Sequence, residues 1–261
     1  MLALLAATPV ALLGAACLGT EEQPVRVLVD GTPLADRTPP VETAGPPAEA
    51  TVVPVPFTPT PPISSLDPND LTGFGYPHEG VCLPSRDEVM PNAPRTYRNG
   101  FHEGVDFYHG DVCTEISRGL PVVAMFGGVV VRAMHDYADI TAYEVAILSA
   151  RTQAQGFTDP EALDIYRGRQ VWIDHGNGVV TRYCHLDSID PNVAVGVDVR
   201  RGDVIGGVGD SGTPESITDP GLELHLHAEV RVGESFLGDG LDPVTVRSLY
   251  EHLFTAAVDG A

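Results

Sequence analysis

Apolar and polar residues alternate through Leu222-Glu-Leu-His-Leu-His-Ala-Glu-Val230, and a period of two predicts a β-strand there. Leu222, Leu224, Leu226, Ala228 and Val230 would share one face, with Glu223, His225, His227 and Glu229 on the other. Most other patterned segments are also strand and turn. Residues 121–132 hold two β-rich runs around a Gly-Gly kink. Gln170–His175 and Gly178–Tyr183 flank a Gly-Asn turn, and Gly202–Gly206 is a short strand within a glycine-punctuated stretch. One region departs from this pattern. Thr141-Ala-Tyr-Glu144 reads as a capping box before a helix to Gln155, stopped by Gly156, and Asp159-Pro160-Glu161 opens a second helix ending near Gly168. A last helix is expected from Pro243 to Phe254. The predicted fold is mainly β, an antiparallel sandwich or partly open barrel with a helical insertion at 133–168 and a C-terminal helix.

The first 70 residues carry no such pattern. An apolar run at 1–17 ends in small residues and is shorter than the roughly 20 residues a membrane span needs, so it reads as an export signal. It is expected to be either an ordinary signal peptide cut after Ala15 or Ala16, or a lipoprotein signal that tethers the chain to a membrane through a lipidated Cys17. Arg26–Leu34 contains an Asp-Gly turn and a weak hairpin signal. Proline accumulates through 37–63, and the whole of 18–70 is expected to be an extended linker to a folded domain over 71–257.

Composition narrows the partners. The formal charge of −21 lacks the basic surface that phosphate binding requires, so a nucleic-acid partner is not expected. Every basic residue is arginine. With Cys17 lipidated or removed, Cys82 and Cys113 are the expected disulfide in an oxidising compartment, leaving Cys184 free and buried.

The histidines supply the chemistry. Two imidazoles two residues apart on a strand project in parallel and can share one ion or one substrate. His102-Glu-Gly-Val-Asp106 adds an imidazole and a carboxylate, and Tyr183-Cys-His185-Leu adds another imidazole. A hydrolytic zinc site uses three protein ligands and an open position for water, and His102, Asp106 and His227 would make such a set. His102 and Asp106 leave room for one of His225 and His227, so the other is left for water or substrate. No His-Glu-x-x-His helix is present to supply a glutamate base.

Six stretches, in order, resemble the lysostaphin/LytM-type zinc endopeptidases, which cut the peptide portion of bacterial peptidoglycan. They are His102-Glu-Gly-Val-Asp106-Phe; Gly119-Leu-Pro-Val-Val-Ala124 with Gly128-Val; Val171-Trp-Ile-Asp-His-Gly-Asn-Gly178; Thr181-Arg-Tyr-Cys-His-Leu186; Gly202-Asp-Val-Ile-Gly206; and Leu224-His-Leu-His227 with Glu229-Val. The resemblance covers about residues 100–232. It implies that His102, Asp106 and His227 ligate Zn2+ and that His185 and His225 are catalytic beside the metal. It also implies a peptidoglycan endopeptidase, which the export signal would place in the cell envelope or outside the cell; a monomer is expected. The alternative it leaves is a catalytically silent LytM-like activator or binding protein of the envelope. The chain departs from the family pattern in the longer loop 209–221, in the 133–168 insertion, and at Leu222-Glu-Leu and Ala228 around the His-x-His strand.

Strand parity adds further expectations. Thr181, Tyr183 and His185 should share a face with Cys184 opposite, which argues against Cys184 as a nucleophile. His175 is expected in a structural role at its turn and His109 in a solvated loop, while His78, His135 and His252 are expected to be exposed. The insertion is expected as surface decoration rather than as a wall of the cleft.

Overall fold

The computed structural model describes residues 71–255, with Asp67, Asp70 and two short strands, β1 (Leu28–Val29) and β2 (Thr32–Pro33), which pair antiparallel. The apolar run 1–17 and nearly all of the segment 18–70 lie outside the described residues. The chain divides into two units, 1–57 and 58–261, and the sheets that carry the histidines belong to the second.

A short ribbon of β3 (Pro94–Arg95) and β4 (Gly100–Phe101) precedes the two main sheets. The larger contains β5 (Val105–Tyr108), β7 (Gly128–Ala133), β8 (Val171–Asp174), β9 (Val179–Cys184), β11 (Asp198–Val199), β13 (His225–Val232) and β14 (Ser235–Phe236). Its order is β11-β7-β8-β9-β13-β14, with β5 also paired to β13. The smaller has the order β10-β12-β6, from β6 (Pro121–Val123), β10 (Leu186–Ile189) and β12 (Val204–Val208). Among the described residues every pairing is antiparallel and neither sheet closes into a barrel. The chain changes sheet between β6 and β7 at the Gly-Gly kink, and between β9 and β10 at His185.

The helices follow their local signals. α1 (Ala142–Gln155) starts at Thr141, whose side chain accepts from the Glu144 amide while the Glu144 carboxylate accepts from the Thr141 amide; it stops at Gly156 with φ 79°. α2 (Pro160–Tyr166) is capped by Asp159. Both stand between β7 and β8. The short α3 (Glu215–Thr218) lies in the loop before β13, and α4 (Pro243–Leu253), capped by Asp242, closes the domain. No helix among the described residues is long and apolar enough to cross a membrane.

Strand β13 starts three residues later than its alternation predicts. At Leu222 the chain is still turning: its amide donates to the Asp219 carbonyl at 3.0 Å and Gly221 sits at φ 97°. From His225 onward alternation holds, but neither face is open to water. Leu226, Ala228 and Val230 enter the core beside Val105 and Phe107, while His225, His227 and Glu229 are buried on the opposite face. Gly104 makes this packing possible, because a Cβ there would run into the Ala228 carbonyl and lie 3.0 Å from His227 Cε1.

His78 is buried rather than exposed, its Nδ1–H donating to the Pro121 carbonyl at 2.8 Å with its ring edge-on to Phe107. Burial lowers its pKa, so the folded state prefers the neutral ring. Between the folded value and the unfolded value of about 6.5 the unfolded chain binds more protons. Its contribution is therefore complete above about pH 6.5 and is lost as pH falls. In urea titrations of the metal-free domain at pH 7.5 and 5.0, His78→Met is expected to lose less stability on acidification than the wild type. Equal losses would refute this. His135 and His252 are exposed as expected. The disulfide is Cys82–Cys113 and Cys184 is free and buried, both as the sequence led one to expect.

Candidate metal centre

Register on β13 assembles the centre. His227 is paired with Asp106 of β5 on one side and Cys184 of β9 on the other, and cross-strand partners share a face. His102 reaches the same point from just before β5. His102 Nε2, Asp106 Oδ1 and His227 Nδ1 form a triangle with edges of 2.9 Å (His102–Asp106), 2.7 Å (His227–Asp106) and 3.0 Å (His102–His227).

Hydrogen bonding on the far side of each ring sets its tautomer. A carbonyl can only accept, so His102 Nδ1–H donates to Met90 O at 3.0 Å and leaves its Nε2 lone pair facing the triangle. His227 Nε2–H donates to Glu229 Oε1 at 3.1 Å, leaving Nδ1 for the triangle. Asp106 Oδ2 is held by Arg95 Nη2 at 3.1 Å, so Oδ1 is the free oxygen. Acceptor atoms packed this closely repel unless a cation or proton lies among them. Two imidazole nitrogens and a carboxylate oxygen, with carbonyl and carboxylate partners behind the rings, are a donor set that suits Zn2+.

In the metal-free centre a proton on His227 Nδ1, donated to Asp106, would fill the place of the cation, and the electrostatics reflect that. Burial would raise the Asp106 carboxyl, but His102 and His225 beside it and the bond from His227 hold it well below the usual carboxylate range. Burial lowers His102 to about 4 in spite of Asp106. Burial also works to lower His227, yet the bonds to Asp106 and Glu229 outweigh it and raise its pKa. At Glu229, burial is outweighed chiefly by the Arg167 charge, so this fully buried carboxyl stays ionised.

His225 and His185 stand alongside. His225 Nδ1–H donates to Glu223 O at 2.7 Å, and its Nε2 lies 3.6 Å from Asp106 Oδ1, farther than the triangle's edges. Its ring stacks on Tyr108 at 4.2 Å, and the Tyr108 hydroxyl donates to Glu223 at 2.6 Å. His185 Nδ1–H donates to Ser211 O at 2.8 Å, and its ring centroid is 4.6 Å from that of His225. Burial, then the neighbouring imidazoles, lower the His185 pKa strongly; burial also lowers that of His225, in spite of Asp106.

The parity argument for this region fails. By register Cys184 shares the face of His227, and regular alternation would send His185 toward the core with Tyr183. His185 instead adopts φ 59°, which ends β9 and brings its ring to the cleft. Cys184 is inert for a different reason: it is fully buried and burial pushes its thiol well above the ordinary value. A left-handed backbone costs a Cβ-bearing residue roughly 1–2 kcal/mol. His185→Gly is therefore expected to be more stable than His185→Ala by about 1 kcal/mol in denaturant titrations, with both losing the imidazole. A less stable glycine variant would contradict the strained geometry.

These groups line a cleft of about 840 Å³. Val145, Ser149 and Thr152 of α1 and Leu163 and Tyr166 of α2 face it, so the insertion forms a wall rather than surface decoration. His175 is held by Gly127 O and Thr181 Oγ1 among Phe74 and Phe126, a structural place, and His109 is exposed. The sequence reading missed Arg95, the partner role of Glu229, and the carbonyls of Met90 and Ser211. Only Glu229 had a legible signal, its position two residues beyond His227 on the same face.

No curated protein matches the chain. Among solved structures it is similar to a zinc containing peptidase from Vibrio cholerae, with 23% identity and a TM-score of 0.41 over 66% of this chain and 41% of that one. It is also similar to the catalytic domain of the antimicrobial peptidase lysostaphin from Staphylococcus simulans, with 21% identity and a TM-score of 0.36 over 67% and 89% of the two chains. The chain thus spans less than half the length of the Vibrio protein. The family model described as Peptidase family M23 matches residues 100–239, more than half of the sequence, including His102, Asp106, His185, His225 and His227. The chain belongs to peptidase family M23.

Proposed function

We propose that the protein is an exported zinc metalloendopeptidase that hydrolyses peptide bonds in peptidoglycan cross-links. The observation that carries this reading is the convergence of His102 Nε2, Asp106 Oδ1 and His227 Nδ1 on one point of an open cleft, with two further imidazoles at its edge. The family and the resemblance of its motifs to peptidoglycan endopeptidases support the substrate. Residues 1–17 and the proline-rich 18–70 fit an export signal and linker to a peptidase domain over 71–257, and a lipidated Cys17 would make the protein membrane-tethered.

His102, Asp106 and His227 would hold the zinc. When bound, it would polarise the scissile carbonyl and lower the pKa of water to near 7. His185 and His225 each commit Nδ1–H to a backbone carbonyl, which leaves Nε2 as a base. Their lowered pKa values keep both neutral at neutral pH, ready to take a proton from the attacking water. Once protonated, either ring can donate to the tetrahedral oxyanion or to the departing amine. Tyr108 stacks on His225 and its hydroxyl ties down Glu223, the residue whose carbonyl orients that ring.

The test is zinc analysis of the purified protein together with digestion of peptidoglycan and short cross-bridge peptides. One bound zinc and new amino termini are expected. A protein that binds no zinc refutes the enzyme reading, and a zinc-loaded protein that cuts nothing supports an activator.

A further inference from the structure

Arg167 sits where the helical insertion returns to the sheet, as the residue that caps α2. Its guanidinium is buried between two carboxylates. Nε donates to Glu229 Oε1 at 2.5 Å, and Nη2 bonds Glu103. Oε1 is also the oxygen that accepts from His227 Nε2. The other arginines near Glu229 use its second oxygen, with Arg182 at 3.3 Å and Arg231 at 3.4 Å from Oε2. Arg167 is thus the cation on the oxygen that accepts from His227 Nε2.

The residues around Arg167 reach the other side of the centre. The Arg167 carbonyl accepts from the His185 amide at 2.8 Å, and the Arg169 carbonyl accepts from the Leu186 amide at 3.1 Å. The Arg169 amide donates to Ser211 Oγ at 2.9 Å, and the Ser211 carbonyl fixes the His185 ring. Between them Gly168 sits at φ 67°, where a Cβ would collide with the Ser211 carbonyl. Residues 167–169 therefore contact the supports of both a metal ligand and a candidate catalytic ring.

We propose that Arg167 is a positioning residue of the metal centre: by clamping Glu229 and Glu103 it holds the Glu229 oxygen against His227 and makes the insertion part of the metal-binding apparatus. The inference rests on the proposed zinc site. A partner behind a ligating histidine is worth about 10–100-fold in metal affinity, and Arg167 would act through that partner. Lysine cannot span two carboxylates with a planar fork, so it would restore the charge but only part of the effect.

The experiment measures Zn2+ affinity by competition with a chromophoric chelator, for the wild type and for Arg167→Met, Arg167→Lys, Glu229→Gln, the Arg167→Met/Glu229→Gln double variant and Arg132→Gln. Arg132 anchors α2 through Asp164 at 2.7 Å without touching Glu229. Expected are a weakening of about 10-fold or more for Arg167→Met, a smaller loss for Arg167→Lys, wild-type affinity for Arg132→Gln, and a double variant no weaker than Glu229→Gln alone. Wild-type affinity in the folded Arg167 variants, additive losses, or an equal loss in Arg132→Gln would overturn the proposal. Should Arg167→Met fail to fold, the Arg167→Lys value decides. A wild type that binds no Zn2+ overturns the zinc site itself and this inference with it.

Discussion

Replacing His225 with alanine is expected to lower peptide-bond cleavage by about 10²–10⁴-fold with zinc content unchanged, whereas Asp106→Ala is expected to lose the zinc as well. The distinction comes from distances. Asp106 Oδ1 lies 2.7 Å from His227 Nδ1 and 2.9 Å from His102 Nε2, while His225 Nε2 stands 3.6 Å from that oxygen and its other nitrogen is tied to a backbone carbonyl. Removing Asp106 withdraws one of the three proposed ligands and strands Arg95, whose Nη2 bonds the second carboxylate oxygen. Removing His225 withdraws the proposed base from the cleft and leaves the triangle complete. Metal analysis and chromatography of the released peptides read the two effects separately. Loss of zinc from His225→Ala would make His225 a ligand and remove the division of labour between the two histidines; retention of zinc by Asp106→Ala would remove the ligand set.

The second large effect concerns stability. Replacing both Cys82 and Cys113 with serine is expected to destabilise the domain by roughly 3–4 kcal/mol, the chain-entropy value for a bridge of this span. The bridge closes a loop with a sequence separation of 31. For a domain of this size that loss corresponds to a melting temperature lower by roughly 6–16 °C. The location adds a consequence for the site. The bridge ties the loop after β5, the strand that carries Asp106, to the segment that runs on to Met90, whose carbonyl orients His102. Arg86 and Ser85 bond Asp111 in the same loop at 3.0 and 2.7 Å, so the contact is reinforced but exposed. Calorimetry of the serine variant and of the reduced wild type should agree. An unchanged melting temperature in both would show that these contacts hold the segment without the bridge.

Much of the secondary structure was legible because its causes are local. Thr141 with Glu144, Asp159 before Pro160, and Asp242 before Pro243 each satisfy amides within one turn, and the helices begin where those caps stand. The Gly176-Asn177 turn has positive φ at both residues and joins the strands expected on either side. The start of β13 was misplaced because Leu222 and Leu224 continue the alternation, while the preceding loop needs Leu222 for its last turn. His78 carries no motif, and its burial depends on Pro121 and Phe107 from distant strands.

For the candidate site, residue types and spacing named the imidazoles and the carboxylate, and the family resemblance divided their roles. Nothing along the chain announced that Arg95 would hold Asp106, that Arg167 would reach Glu229 across 62 positions, or that the insertion would wall the cleft. His185 shows the limit most clearly. Alternation is a property of a regular strand, and His185 leaves the strand through a left-handed backbone stabilised by the Arg167 carbonyl. The sequence by itself determined most of the strands, the helix caps and the imidazole and carboxylate side chains proposed as ligands, because hydrogen bonds over a few residues and a period of two decide them. The tertiary structure alone decided which atoms of those side chains meet and what holds them, because tautomer, register and ion pairing are set by partners far away in the chain.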